Sequence, residues 1–487
     1  MKSAYILLSS TSQLSSPNVK NEPPLVVDLD GSLIYTDLLW ESIAQLLKAK
    51  PYYVFHLLFW LLQGKAVLKH QIASHTTVHP EHLPYDQILL QEVKWQHEHG
   101  RLTVLATGSH REYADKIASH LNVFGMVLAS DQGKNLISSN KAHVLIQLFG
   151  EKGFDYVGNA RADIPIWNVS RRAYSVGLKL FPLKEGQTLA IGSARQNSLQ
   201  ALMRAMRPRQ WLKNLLVFIP ILSAHLISKE SLQQSILAFI AFSLSASSAY
   251  LLNDALDVND DRKHPDKCRR PIASGALAMP MAIMASIVLA GVSLSVSAYY
   301  QPKLMWVVML YLFSTILYSS YLKRLMMVDV IMLAILYSLR IWGGGVSTGI
   351  NLSFWLLSFS LFIFLSLALL KRYSELLNLS RAGKDKANGR GYTTQDKVPV
   401  GIMGINSAFV AVLILMLYFN SENVIHLYAR PEFLLGIVPL LVFWLGRLWI
   451  LSFRGQVNED PIIFVSKDKP GLAVMLGALI LAVLASA

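Results

Sequence analysis

The stretch Asn253-Asp-Ala-Leu-Asp257-Val-Asn-Asp-Asp261 leaves a strongly apolar run, Leu232 to Leu252, and enters a basic segment, Arg262 to Arg270, that closes as Arg270-Pro-Ile-Ala-Ser-Gly275. Asn253, Asp257 and Asp261 recur at every fourth residue, so a helix would carry them on one face. Carboxylates at the aqueous end of a membrane helix are costly unless a cation neutralises them. Oxygen donors of this hardness suit Mg²⁺, which then bridges to a diphosphate. Lys267, Arg269 and Arg270 are placed to hold the remaining phosphate charge. A solvated loop of mixed charge is the plainer reading, and the regular spacing beside a membrane run argues against it.

Composition sets the frame around this motif. The chain has 487 residues, enough for two or three domains, and 53% of them are hydrophobic, above ordinary globular usage. The apolar residues are uneven: residues 1–210 alternate apolar and charged segments as a soluble protein does, and long apolar runs dominate after residue 211. The net charge of +14 would suit nucleic acid or anionic lipid. Much of the excess lies between the apolar runs, so topology and phosphate binding account for it and nucleic acid is not expected. The single cysteine, Cys268, excludes an internal disulfide framework and has no evident acid–base partner. The apolar patch Ala4 to Leu8 is too brief for a signal-peptide core, so the front domain is expected to stay in the cytoplasm.

Candidate membrane spans are 212–228, 232–253, 281–299, 304–321, 328–346, 353–370, 400–419, 432–451 and 470–486, which predicts about nine transmembrane helices. One set of loops carries Arg204, Arg207, Arg209, Lys213, the Arg262–Arg270 segment, Lys323-Arg324, the Lys371–Lys397 loop, Arg454, Lys467 and Lys469; the other carries little beyond Lys229, Lys303 and Arg430. The positive-inside rule puts the first set and the N-terminal domain in the cytoplasm of a plasma-membrane protein, and an odd helix count puts the C-terminus outside. Arg340 and Arg447 interrupt apolar runs and must face the bundle or an aqueous cavity. The functional-looking charge falls at one membrane mouth. A transporter would place its binding groups near the midplane. The pattern therefore favours an enzyme that takes a soluble diphosphate from the cytoplasm and a lipid from the bilayer.

The residues Asn253-Asp254-x-x-Asp257-x-x-x-Asp261, His264-Pro265 and Arg270-Pro-Ile-Ala-Ser-Gly275 resemble the UbiA superfamily of intramembrane prenyltransferases over about residues 205–487. Within it, Arg207-Pro-Arg-Gln-Trp-Leu-Lys-Asn214, the Tyr318…Lys323 pair and Lys371-Arg-Tyr-Ser-Glu375 are most similar to the decaprenyl-phosphate phosphoribosyltransferases. The aromatic prenyltransferases of the superfamily usually carry a second Asp-rich motif; here the corresponding loop offers only isolated Asp385 and Asp396. The resemblance implies Mg²⁺ held by Asn253, Asp254, Asp257 and Asp261, with Asp257 and Asp261 catalytic. It further implies phosphate or substrate contacts from Lys213, Asn214, Arg262, Lys267, Arg270, Tyr318 and Lys323, and weaker ones from Lys371 and Arg372. The implied reaction is attack of a polyprenyl phosphate on C1 of phosphoribosyl diphosphate. Transfer of a polyprenyl group to an aromatic acceptor such as 4-hydroxybenzoate remains an alternative, as does a lipid or phosphate transporter with an inactive soluble domain.

In the soluble half, Leu25-Val-Val-Asp28-Leu-Asp30-Gly-Ser32 reads as a buried parallel strand ending in two carboxylates and a glycine turn. Apolar helical segments follow to about residue 100. Leu102-Thr-Val-Leu-Ala-Thr107-Gly-Ser109 is a second strand, Lys141 follows, and Phe154-Asp-Tyr-Val-Gly158-Asn159-Ala-Arg-Ala-Asp163 is a strand ending in Gly-Asn and then an acid. The alternation predicts a doubly wound α/β sheet with its site at the strand C-termini.

Those four segments in that order resemble the haloacid-dehalogenase (HAD) superfamily of phosphohydrolases. The resemblance implies Asp28 as nucleophile, Asp30 as general acid and base, Thr107 and Lys141 as phosphoryl binders, and Asp163 with Asp28 and Asp30 around Mg²⁺. Asn159 departs from the family, which more often has Asp there. A helical cap is expected over about 38–100. Its segment Tyr52 to Gln63 is apolar and too short to span a bilayer, so it is either a buried cap helix or a helix lying on the membrane. A flexible lead-in is expected over 1–22, the phosphatase-like domain over 23–185, a linker over 186–203 and the membrane domain over 204–487. Oligomeric state is not legible.

Overall fold

Leu25, Val26 and Val27 are fully or almost fully buried, and their side chains alternate between two separate apolar clusters. That is the signature of a strand in the middle of a parallel sheet covered on both faces. The structure, a computed structural model, describes residues 22–131, 135–177, 180–193, 197–386, 390–421, 424, 427–457, 464 and 468–486. The lead-in expected over 1–22 lies outside the described residues except for Glu22. By internal contacts the chain divides into two compact units: one up to Met206 together with Asp254–Ala285, and one of Arg207–Asn253 with Ser286–Ala487.

The first unit is built on a six-stranded sheet, β1 (Leu25–Val27), β2 (Thr103–His110), β3 (Met126–Ser130), β4 (Asp155–Gly158), β5 (Ala173–Val176) and β6 (Leu189–Ile191), in the order β3-β2-β1-β4-β5-β6. Every pairing is parallel. The C-terminal ends of β1, β2 and β4 are therefore side by side, which is where an open α/β sheet binds its ligand. Four helices separate β1 from β2: α1 (Leu38–Ala49), α2 (Tyr53–Leu62), α3 (Lys65–Ala73) and α4 (Gln87–Glu98). They occupy the expected cap region. Asp37 starts α1 by accepting a hydrogen bond from the Leu39 amide at 2.9 Å, and Asp86 starts α4 in the same way. Helices α5 (Arg111–Leu121), α6 (Ser139–Phe149) and α7 (Ile164–Val169) complete the alternation.

Residues 186–203, expected as a linker, include β6 and most of α8 (Ser198–Ala205). Leu189, Ala190 and Ile191 register with Tyr174, Ser175 and Val176, so this segment closes the sheet edge.

The second unit is helical. Among the described residues eight helices are long and apolar enough to cross a membrane: α10 (Lys229–Leu256), α12 (Met279–Tyr300), α13 (Pro302–Ser320), α14 (Val328–Thr348), α15 (Phe354–Arg381), α16 (Lys397–Phe419, its span beginning at Thr394), α17 (Ile437–Phe453, its span beginning at Pro431) and α18 (Lys469–Ser486). The ninth expected span, 212–228, is not one helix. It is a 3₁₀ stretch over Pro208–Phe218 followed by the short α9 (Ile219–Ser223). Prolines near the start of both pieces, and Lys213 with Asn214 inside the first, keep it from being a uniform apolar rod. The odd-count argument for an outside C-terminus loses its ninth helix.

Within the second unit, serines let backbones approach closely. Ser248 Oγ donates to the Ser286 carbonyl and Ser286 Oγ to the Ser248 carbonyl, each at 2.8 Å, and Ser293 Oγ donates to the Ala241 carbonyl at 2.7 Å. A glycine serves the same end in α14: a Cβ on Gly344 would lie 2.1 Å from the Val217 carbonyl oxygen.

Candidate functional site

The strand ends of the first unit gather the expected phosphohydrolase residues. Asp28 follows β1 and is buried. Lys141, from α6, donates to Asp28 Oδ1 at 2.7 Å, to the Ala106 carbonyl at 3.0 Å and to the Tyr156 hydroxyl at 3.1 Å. Ser32 donates to Asp28 Oδ2 at 3.1 Å. Asp30 accepts from Ser109 Oγ at 2.6 Å, from Thr107 Oγ1 at 3.2 Å and from the Leu38 amide at 2.9 Å. The last bond ties the Asp30 carboxylate to the first turn of α1. Asp163 accepts from the Tyr156 hydroxyl and from the Asn159 and Ala160 amides, all at 3.0 Å.

Asn159 crowds this site from the β4 side. Gly31 has a positive φ of 73°, and a Cβ there would meet Asn159 Nδ2 at 2.2 Å. Only glycine allows the amide to sit so close. Burial pushes the Asp28 carboxyl up to about 6 against the opposing pull of Lys141, and the neighbouring Asp163 and Asp30 add to the rise. Burial and the charge of Asp37 likewise raise Asp30 to about 6. Two carboxyls poised between proton donor and nucleophile are what acid–base work at a phosphoryl group requires. Lys69, from the cap helix α3, donates to the Gly108 carbonyl at 2.6 Å and to Asn135 Oδ1 at 3.0 Å. Burial lowers its pKa. Sequence reading missed it because nothing in its spacing points to β2.

The Asp-rich motif departs from the expected single helical face. α10 ends at Leu256 and α11 (Val258–Lys263) begins after a break at Asp257, whose φ and ψ of −93° and 7° are not helical. The break sorts the carboxylates into two pairs. Asp254 and Asp261 both accept from Arg270 Nη1, at 3.0 and 2.7 Å. Asp257 and Asp260 both accept from Lys48 Nζ, the second at 2.7 Å. Burial raises the Asp261 carboxyl although Arg270 opposes it. Burial works against the Lys48 ammonium, yet the hydrogen bonds to Asp257 and Asp260 prevail and its pKa rises. Arg262, expected on phosphate, is bidentate to Glu41 at 2.9 and 2.5 Å and donates to the Ala273 carbonyl at 2.9 Å. Lys267 lies in a single turn, Lys267–Arg269, just before Arg270. Asn253 sits half-buried near the end of α10.

In the second unit, Asn214 is fully buried, donates to Ser243 Oγ at 3.0 Å and accepts from Arg340 Nε at 2.8 Å. Arg340 also donates to the Tyr311 hydroxyl at 2.7 Å, and its guanidinium lies 4.7 and 5.3 Å from the ring centres of Tyr311 and Tyr337. Lys213 Nζ lies 5.7 Å from the Tyr337 ring centre. The Arg207–Asn214 segment and α14 thus meet through one buried cation wrapped in aromatics. Arg372, expected as a weak phosphate clamp, is fully buried with Nη2 2.6 Å from Asp329 Oδ2 and Nη1 on Glu375. Tyr392 donates to the other Asp329 oxygen at 2.7 Å. A cation so enclosed holds helices rather than substrate. Tyr318 lies near the end of α13, Lys323 sits in the turn Leu322–Arg324, and Lys371 precedes Arg372 on α15.

The donor set suits Mg²⁺. Each pair of motif carboxylates already closes around one cationic nitrogen, so each is shaped to flank a positive centre. Among the described residues no three His, Cys, Asp or Glu side chains converge as a metal cage. Mg²⁺ is commonly bound in that way, by one or two carboxylates with water and substrate phosphates completing its shell.

Eight helices among the described residues are long and apolar enough to cross a membrane, one of them ending in an Asp-rich, arginine-bridged motif, as an integral membrane protein requires. The chain belongs to the UbiA prenyltransferase family, whose pattern matches residues 216–465. It is 33% identical over 465 residues to "Uncharacterized protein y4nM" of Sinorhizobium fredii, covering 94% of this chain and 89% of that one. It is 31% identical over 275 residues to "Nodulation protein NoeC" of Azorhizobium caulinodans, covering 56% of this chain and 89% of that one. To the decaprenyl-phosphate phosphoribosyltransferase of Mycobacterium tuberculosis it is 38% identical over 192 residues, 38% of this chain and 64% of the relative. Among solved structures, a UbiA homologue from Archaeoglobus fulgidus bound to DMAPP and Mg²⁺ matches 58% of this chain and 96% of that one, at 17% identity and a TM-score of 0.45. A probable phosphoserine phosphatase from Vibrio cholerae matches 34% of this chain and 58% of that one, at 17% identity and a TM-score of 0.26.

Proposed function

We propose that the protein transfers 5-phosphoribose from phosphoribosyl diphosphate to a polyprenyl phosphate, and that its HAD-like domain then removes the 5-phosphate from the lipid product. The observation that carries the transferase reading is the pairing of Asp254 with Asp261 and of Asp257 with Asp260 around single cationic nitrogens. Similarity to the decaprenyl-phosphate phosphoribosyltransferase supports the choice of sugar donor.

In this reading Asp254, Asp257 and Asp261, with Asn253 beside them, would hold Mg²⁺, which supplies charge neutralisation for the leaving diphosphate. Arg270 moves from the carboxylates to the phosphates, and Lys267, Lys323, Lys213 and Lys371 are the further cations offered to them. Arg262 and Arg372 keep their carboxylate partners and position the motif and the helices. A lipid phosphate oxygen attacks C1 of the ribose, the C1–oxygen bond to diphosphate breaks, and diphosphate leaves with the bonding pair.

In the phosphohydrolase, an Asp28 oxygen attacks phosphorus while Asp30 protonates the departing sugar oxygen. Water then attacks the aspartyl phosphate, giving its proton to Asp30, and inorganic phosphate leaves. Lys141 offsets the charge, and Thr107 and Ser109 orient Asp30. Asp28 and Asp163 would hold Mg²⁺ here. The loop charge supports a cytoplasmic side for both proposed sites.

The test is mass spectrometry of products from purified full-length protein. One arm offers phosphoribosyl diphosphate with polyprenyl phosphate, and the other 4-hydroxybenzoate with polyprenyl diphosphate. Product in the first arm alone is expected. Product in the second arm alone would replace this reading with aromatic prenylation, and the absence of diphosphate release in both would favour a transporter.

A further inference from the structure

Every residue of the cap helix α2 except the exposed His56 is apolar or aromatic, Tyr53-Val-Phe-His-Leu-Leu-Phe-Trp-Leu-Leu62. One side packs: Trp60 is buried with Leu46, Leu68 and Ile72, and Tyr53 and Leu57 lean on the same cluster. The other side is bare. Phe55 is 73% exposed, Leu58 60%, Phe59 59% and Leu62 87%. Positions 55, 58, 59 and 62 repeat at the i, i+3, i+4, i+7 spacing of one helical face, so the exposed groups form a continuous stripe. A stripe of this kind on a soluble surface marks a partner or a membrane.

The electrostatics choose between them. From Ser42 to Pro80 the chain has no Asp or Glu, while Lys48, Lys50, Lys65 and Lys69 flank α2 on both sides. Lys50 and Lys65 are exposed, at the two ends of the helix. Apolar residues on one face with lysines at the ends are what a helix needs to lie in the headgroup region of an anionic leaflet. Ten residues are too few to cross it. Among the described residues of the same chain, eight helices are long and apolar enough to cross a membrane, so the chain is tied to a bilayer.

We propose that α2 is a membrane-docking helix, laying Phe55, Leu58, Phe59 and Leu62 into the surface of an anionic bilayer. Only Gln63 and Gly64 separate the helix from α3, whose Lys69 reaches the Gly108 carbonyl near the end of β2. Docking therefore sets the cap, and the site under it, against the surface from which a lipid-borne phosphate would come. The docking itself does not depend on the phosphatase reading.

The experiment uses full-length protein in lipid nanodiscs of phosphatidylcholine with or without phosphatidylglycerol. Cys268→Ser removes the only native cysteine. Leu58→Cys in that background is labelled with an environment-sensitive fluorophore and challenged with spin-labelled lipid; Lys94→Cys on α4 is the control. The expected result is a blue-shifted emission at position 58, quenched several-fold by the spin-labelled lipid and more strongly with phosphatidylglycerol, and none of this at position 94. Adding Phe55→Glu and Phe59→Glu, which lie on the bare face outside the cap core, should abolish the quenching. An unquenched, water-like emission at position 58 in both lipids would overturn the proposal. So would label–label contact between two copies of the protein in place of lipid quenching.

Discussion

Asp28 and Asp30 are carboxyls whose folded protein resists their ionisation, both raised from 3.8 to about 6 by burial first and neighbouring acids second. Between those values an unfolded chain has released the proton that the folded chain keeps. Without divalent metal, each carboxyl therefore lends stability at low pH that is lost as pH rises through about 6, on the order of 3 kcal/mol apiece before their coupling is counted. Proteolytic protection of the β1 region in EDTA should be greater at about pH 5 than at about pH 7.5, and Mg²⁺ should restore more of it at the higher pH. Equal protection at both would mean the carboxyls are not held as described. In the transferase motif, Asp261→Asn should abolish diphosphate release by orders of magnitude while the folded protein still inserts. Near-normal release at saturating Mg²⁺ would remove Asp261 from the metal set. Asp28, Asp30, Thr107, Lys141 and Asp163 were legible because each lies in or beside a strand or helix in a recognisable order. Lys48 and Glu41 were not: their partners lie 209 and 221 residues away, and no local pattern encodes such a pairing.

At the scale of elements, hydropathy located the long helices because a bilayer fixes their length, and it failed for 212–228 because Pro208, Pro220, Lys213 and Asn214 divide that run. The i, i+4 spacing of the Asp-rich motif predicted a single helical face, and the helix instead breaks at Asp257 and turns that carboxylate toward α1. Lys48 there is paired with Asp257 and Asp260, two carboxylates of the proposed Mg²⁺ motif. Lys48→Ala should lower the Mg²⁺ concentration for half-maximal transfer several-fold with little change at saturation; an unchanged or higher requirement would make the ion pair purely structural. Gly344 has a different duty. With a Cβ 2.1 Å from the Val217 carbonyl, Gly344→Ala must push α14 from the 208–218 segment and loosen the Asn214–Arg340 contact. A loss of ~1–3 kcal/mol is expected, as for other overpacked interiors, read as a lower melting temperature in detergent.

For the whole molecule, the two proposed chemistries on one chain have a kinetic consequence. A short tether raises the local concentration of the second site to about the millimolar range. Asp28→Asn should leave diphosphate release intact and make the 5-phosphorylated lipid accumulate, as followed by mass spectrometry of extracted lipid. Identical lipid products from wild type and Asp28→Asn would leave the HAD-like domain a scaffolding role.

The buried cation of α14 also bears on how the chain is made. Arg340 sits in the middle of a hydrophobic helix, a placement that costs an isolated segment roughly 2.5–3.5 kcal/mol on entry to the bilayer. Its side-chain partners Asn214 and Tyr311 both precede it in the sequence, so they have left the ribosome before α14 reaches the translocon. The partners of Asp329, at the start of the same helix, are Arg372 and Tyr392, which are synthesised later. A nascent chain halted just after α14 can already satisfy its arginine but not its aspartate. Release of α14 into lipid would then wait on α15, making the two helices a single unit of biogenesis.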